Sequence, residues 1–176
     1  MNKIYETERL YTREMSTEDI PALSKILQDP EVMTAYEHAF SDWETHEWLN
    51  KQLSRYKQFG FGLWAVILKE TDEMIGQCGL TIKDFKDKQV YEIGYLFQKQ
   101  YWHKGYATEA AEGSKQYAFN VLKVDEVYSI IRETNLASMN VAIRNGMTIR
   151  GRIVKHYYGL NMPHYVFSVK NPARNY

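Results

Sequence analysis

The spacing of apolar and polar positions divides the chain into helical and extended segments. Leu10 to Glu14 alternates as a short strand. Ser16 followed by Asp19 predicts a helix start, with Ile20, Leu23, Ile26 and Leu27 on one face and Pro21 tolerated in the first turn. This helix runs to about Gln28, where Asp29-Pro30 stops it. Ser41 and Glu44 have capping-box spacing ahead of Trp48, Leu49, Gln52, Leu53 and Tyr56, a second helix that Gly60 closes. From Gly62 the period changes. LWAVIL, MIGQCGLTI and VYEIGYLF are three extended runs separated by the short polar stretches KETDE and KDFKDK, and they predict an antiparallel meander.

The loop QKQYWHKG then leads into a long amphipathic helix. Its face carries Ala107, Ala110, Ala111, Ser114, Ala118, Val121 and Leu122, small residues that let a helix axis approach a sheet closely. Its length calls for a crossover to another strand, Glu126 to Ile131, lying beside the third meander strand. A further helix is predicted from about Asn135 to Asn145 with Gly146 as its stop, and closing strands near Met147 to Val154 and Tyr165 to Val169. The order β-α-α-β-β-β-α-β-α-β-β is α+β, with a mixed, mostly antiparallel sheet of about seven strands flanked by helices. No linker or repeat divides the chain, so residues 1–176 read as one domain.

Composition narrows the field. With 22 Lys plus Arg against 22 Asp plus Glu, nothing in the net charge calls for nucleic acid or an anionic membrane. No apolar run approaches the roughly 18 residues of a membrane span, and MNKIYETERL lacks the apolar stretch of a signal peptide, so a cytoplasmic location is expected. The lone Cys78 supplies no internal disulfide, and the five histidines form no HExxH, so no metal is expected. Cys78 between two glycines reads as packing, and neither Ser114 nor Ser168 sits in a GxSxG elbow. Tyr91 and Tyr95 share a strand face, but without a basic surround they do not make an RNA-binding sheet.

The chemistry concentrates in YEIGYLFQKQYWHKGYATEAA, where a strand runs through a glycine-containing loop into the N-terminus of the long helix. Unpaired N–H groups and the positive end of the helix dipole converge at such a junction, and Gly105 and Ala107 keep bulk away from an approaching diphosphate. His103 and Lys104 add donors. A glycine that merely makes the turn is the alternative. The loop is neither a P-loop nor GxGxxG.

WHKGYATEA resembles the coenzyme A loop of the GCN5-related N-acetyltransferases (GNAT), (Gln/Arg)-x-x-Gly-x-(Gly/Ala), placed between the fourth strand and its helix. TNLASMNVAIRNGM resembles the second motif of that superfamily, and TERLYTREM resembles its RimJ/RimL-type branch. The resemblance spans about Glu6 to Lys170. It implies a GNAT-like α/β/α arrangement and acetyl-CoA as donor, with the pantetheine arm along the third meander strand at the backbone of Tyr95 and Phe97. It further implies the diphosphate on His103, Lys104, Gly105, Tyr106, Ala107 and Thr108, Asn135 at the pantetheine, and Asn140 as a further polar contact. Trp102 and His103 depart from the usual residues at the head of the loop, which removes a side-chain contact and leaves the backbone cradle.

The implied reaction is attack of a neutral amine on a thioester carbonyl, needing a base, a donor for the oxyanion and a proton for the thiolate. Glu92 matches the superfamily's glutamate base; its alternative is a solvated sheet carboxylate. The usual Tyr acid is replaced by Ala142, while Ser138 resembles the serine proposed as proton donor in RimL-type enzymes, or is an ordinary first-turn serine. Acceptor recognition falls to the N-terminal helices and C-terminal strands, which hold Tyr36, Glu37, His38, Trp43, Trp64, His156, Tyr157, Tyr158 and His164. Their aromatics with Glu37 and Glu92 either form a cation-friendly pocket for an amine or serve as core and rim. The resemblance thus implies an N-acetyltransferase acting on a protein N-terminal or small-molecule amine. A non-catalytic coenzyme A-binding module is the other class, and a homodimer is expected from the family.

Overall fold

In the computed structural model, which describes residues 2–174, every predicted helix and strand is present and one strand is added. The sheet contains β1 (Lys3–Glu6), β2 (Leu10–Arg13), β3 (Leu63–Leu68), β4 (Glu73–Phe85), β5 (Lys88–Phe97), β6 (Glu126–Arg132), β7 (Thr148–Tyr157) and β8 (Leu160–Lys170). Their order is β1-β2-β3-β4-β5-β6-β8-β7, and every neighbouring pair is antiparallel except β5 and β6. The helices are α1 (Ile20–Leu27), α2 (Asp42–Phe59), α3 (Tyr106–Asn120) and α4 (Leu136–Arg144). Ser41 opens α2 with a reciprocal pair of bonds: the Glu44 N–H donates to its hydroxyl at 3.2 Å, and its own N–H donates to the Glu44 carboxylate at 2.8 Å.

Helices cover both faces of the sheet. Ala65, Ile67 and Met74 pack under α1 and α2, whose Leu23, Ile26, Leu27 and Leu49 are buried there. Trp64, Val66, Cys78, Leu80 and Ile93 pack under α3 and α4 with Ala110, Ala111, Ala118, Val141 and Ala142. Alternation along β5, and along β4 beyond the register shift between Met74 and Gly76, therefore assigns successive residues to one helix pair or the other.

The eighth strand is β1, a four-residue edge strand too short to show a period in sequence. Its identity comes from tertiary packing. The Tyr5 hydroxyl donates to the Ala110 carbonyl at 2.7 Å and lies 3.0 Å from Ser114 Oγ, and a Cβ on Gly113 would fall 2.2 Å from the Tyr5 ring. The small residues of α3 thus make room for Tyr5 and for Cys78, whose Sγ is 3.3 Å from Ser114 Oγ. Burial pushes the Cys78 thiol up to about 12, which leaves it unreactive. The glycines flanking it have the same kind of cause: a Cβ on Gly79 would stand 2.0 Å from the Gly62 carbonyl oxygen, and one on Gly76 would stand 2.5 Å from the Phe97 ring.

Candidate active site

Strands β5 and β6 pair only at Tyr91–Val127 and Glu92–Tyr128 and then splay. At the fork the Ser129 hydroxyl donates to the Ile93 carbonyl at 3.0 Å. Backbone groups alternate sides along a strand, so Tyr95 and Phe97 turn theirs into the same gap as Ile93. The Phe97 carbonyl, however, accepts from the Trp102 indole N–H at 3.0 Å. Trp102, the residue that departs from the loop pattern, therefore occupies one acceptor that the resemblance assigns to the donor arm. Across the gap the Tyr95 hydroxyl donates to the Ser138 carbonyl at 2.7 Å, bridging β5 to the first turn of α4. Burial, ahead of any neighbouring charge, pushes this phenol up, so it stays protonated.

The loop after β5 places His103 (φ 60) and Gly105 (φ 80) in the left-handed region, with Gly105 as the N-cap of α3. The first intrahelical bond runs from the Glu109 N–H to the Gly105 carbonyl at 3.0 Å, so the N–H groups of Tyr106, Ala107 and Thr108 have no acceptor within the helix. His103, Lys104 and Gly105 are exposed beside them. A chain of outward N–H groups at a helix N-terminus fits an anionic diphosphate.

Arg9, which the sequence did not single out, braces this loop. Its Nη1 donates to the Lys104 carbonyl at 2.9 Å, its Nε to Glu109 at 2.7 Å, and its guanidinium lies 4.4 Å from the Tyr106 ring centroid. Glu109 also accepts from Thr7 Oγ1 at 2.6 Å and from the Arg9 N–H at 2.7 Å. Partial burial works to raise the Glu109 carboxyl, and the bonds from Thr7 and Arg9 outweigh it to hold the group below the ordinary carboxylate range. A lowered folded value means stability that is present above the ordinary carboxylate range and is lost as pH falls through the folded value. The melting temperature is therefore expected to drop on acidification below about pH 4.5. A flat acid profile in a pH series of melts would show that the clamp contributes nothing.

A cavity of about 370 Å³ reaches through the gap and brings together Glu92, Tyr95, Asn135 and Ser138. Glu92 pairs with Thr81, whose hydroxyl donates to it at 3.3 Å, and lies on the α1–α2 face, while Tyr95 lies on the α3–α4 face. Asn135 Oδ1 caps α4 by accepting the Ser138 N–H at 3.1 Å, which leaves its amide N–H groups for a ligand. Asn140 stands on the exposed side of α4, outside the cavity lining.

Of the acceptor candidates, Tyr36, Tyr157, Tyr158 and His164 line this cavity. Trp64 is fully buried in the core and Trp43 is 71% exposed, and neither lines it. His156 bonds Asn161 at 2.5 Å on the exposed β7–β8 hairpin. His38 stacks edge-on against Tyr158 and bonds Glu44 at 2.8 Å. Glu37 is ion-paired with Arg132, so its charge is not free for an amine. His164 Nδ1 donates to the Met162 carbonyl at 2.7 Å, and burial pushes its pKa down, which leaves a neutral ring at pH 7. Lys51, Arg55, Lys83, Arg132 and Lys155 also line the cavity. The spacing of Lys51 and Arg55 one helical turn apart was visible in the sequence, but their meeting with Lys83 and Lys155 depends on the fold.

Among the described residues, no three His, Cys, Asp or Glu side chains come together as a metal site requires, and no helix is long and apolar enough to cross a membrane. A mixed sheet forked between its parallel strands, with a glycine-capped helix opening just beyond the fork, is the architecture that the sequence resemblance implies. Residues 9–148 match the acetyltransferase (GNAT) domain, and the chain belongs to that family. It is an N-acetyltransferase. It is 37% identical over 142 residues to YkkB of Bacillus subtilis, covering 80% of this chain and 83% of that one. It is 32% identical over 144 residues to an uncharacterized N-acetyltransferase, p20, of Bacillus licheniformis, covering 80% and 79%. The solved structure of a GNAT-family acetyltransferase from Bacillus anthracis superposes with a TM-score of 0.80 at 25% identity, covering 94% of this chain and 97% of that one.

Proposed function

We propose that this chain is a single-domain, cytoplasmic enzyme that moves the acetyl group of acetyl-CoA directly to a primary amine, of a protein N-terminus or a small molecule, in a ternary complex. The observation that carries this is the fork: α3 opens at Gly105 just beyond it, and one cavity at the gap is lined both by Glu92 on one face and by Tyr95, Asn135 and Ser138 on the other. The donor would be held by the loop from His103 to Thr108, by the backbone of Tyr95 and by Asn135. Phe97 serves instead as the anchor of Trp102. Arg9, within the segment that resembles the RimJ/RimL branch, supports the loop.

In the reaction one C–N bond forms and one C–S bond breaks. The amine loses a proton, which Glu92 receives directly or through water, and the departing thiolate gains one, for which the Ser138 hydroxyl is the candidate. Both side chains line the cavity. Thermal denaturation in the presence of acetyl-CoA, with ATP and NADH as controls, tests the donor. A ligand at a hundred times its Kd stabilises by about 2.7 kcal/mol, so a saturable shift is expected with coenzyme A species alone. An equal shift with ATP, or none with acetyl-CoA, overturns the assignment. Gly105→Asp adds a negative charge to the proposed cradle and a side chain at a left-handed position, where the new Cβ would lie 3.3 Å from Arg9 Nη2. Acetyl-CoA affinity should fall at least about tenfold, about 1.4 kcal/mol, by titration calorimetry.

A further inference from the structure

The wall of the cavity on the acceptor side is electrically one-sided. Five basic side chains, Lys51, Arg55, Lys83, Arg132 and Lys155, line it against one carboxylate, Glu92. Glu37 offsets Arg132. Among the described residues, no carboxylate lies within ion-pairing distance of Lys51, Arg55, Lys83 or Lys155, and Arg55 bonds only to the neutral Gln52 amide oxygen, at 3.2 Å. The positive field is felt within the wall itself: Lys51 is pushed down first by desolvation, then by the charges of Arg55 and Lys83.

Nothing in the proposed donor accounts for these cations. Its anionic diphosphate belongs at the N-terminus of α3, after the end of β5, whereas the arm that would enter the gap is uncharged. Lys83 shares the face of Glu92 on the adjoining strand, because Thr81 pairs with Glu92 and Lys83 with Val90. Lys51 and Arg55 come down from α2, and Lys155 faces them from β7. The charges therefore surround the place where an amine would meet Glu92.

We infer that the acceptor is an amine that carries an anionic group of its own, a carboxylate or a phosphate, which these cations hold while Glu92 faces the nitrogen. This rests on the proposal that the cavity is the acceptor site. The arrangement has a second effect on the chemistry. Neighbouring positive charges disfavour an ammonium, so they favour the neutral amine that can attack a thioester, and the acceptor's anionic group offsets the repulsion that would otherwise exclude it. A polycationic amine would meet net repulsion from the same wall, five cations against the single carboxylate of Glu92.

The test is binding to the preformed coenzyme A complex by calorimetry, together with thiol release from acetyl-CoA. The panel holds α-amino acids and an aminoalkyl phosphate, uncharged amino alcohols of the same length, and linear polyamines. Anionic amines should bind at least about tenfold tighter than their uncharged counterparts, with polyamines weakest. The amino acid and aminoalkyl phosphate arms tell carboxylate from phosphate. Lys83→Gln and Lys155→Gln, both at partly exposed positions, should each cut that selectivity at least about threefold while acetyl-CoA affinity stays unchanged. Equal or preferential binding of uncharged amines or polyamines overturns the inference, as does undetectable binding of every anionic amine. Failure to bind coenzyme A at all would overturn the acetyltransferase proposal instead.

Discussion

Gly79→Ala should lower the unfolding free energy by at least about 3 kcal/mol and the melting temperature by about 6–12 °C. The added methyl would stand 2.0 Å from the Gly62 carbonyl oxygen and 3.0 Å from the Leu63 Cα, so it meets main chain rather than a side chain that can swing away. Relief by movement is blocked on both sides. The Gly62 oxygen accepts from the Leu80 N–H at 3.0 Å, and β4 is held between β3 and β5 with Gly79 opposite Leu63 and Gly94. Gly94→Ala is the matched control, because its nearest new neighbour is Leu63 Cδ2 at 3.5 Å, an ordinary contact. The two variants should therefore differ widely in a thermal melt. Equal, small losses would show that the β3–β4 approach relaxes without cost.

The second large effect is kinetic. Glu92→Gln keeps the shape of the side chain and its contact with Thr81 but cannot take a proton, so turnover should fall at least about a hundredfold at neutral pH while acetyl-CoA affinity is unchanged. Steady-state thiol release against titration calorimetry separates the two. Full turnover would exclude Glu92 as the base. His164 would then be the group to replace next, since its ring is neutral, bonded through Nδ1 to Met162, and borders the same cavity.

The elements most visible in sequence are those whose pattern is local. The capping pair Ser41 and Glu44, the three β-rich runs and the small-residue face of α3 each carry their signal within one or two turns. Strand β1 was invisible because what makes it a strand is Tyr5 meeting Gly113 more than a hundred residues away. Strands β7 and β8 run past their sequence signals, Met147 to Val154 and Tyr165 to Val169, because the hairpin that joins them is exposed from His156 to Asn161, without a buried face there to mark its length. The junction at Gly105 was legible because a glycine between a strand and a helix has a backbone reason to be there. Arg9 and the cation wall were not, because ion pairs and like-charge clusters form between elements and leave no period behind. Trp102 shows the limit of a motif: its departure from the pattern was plain, but that its indole would bond the Phe97 carbonyl required the fold.

The position of β8 bears on how the protein is made. This strand is the last among the described residues, yet it lies inside the sheet, paired through residues 164–170 with β6 on one side and through residues 160–168 with β7 on the other. During synthesis from the N-terminus, β6 therefore waits with an open edge until residues 160–170 have left the ribosome. The meander β3–β5 can form as it emerges, whereas the half of the sheet bordering the fork closes only after translation has passed it. A nascent chain from which residues 160–170 have not emerged would hold β1 to β5 paired and β6 with one open edge.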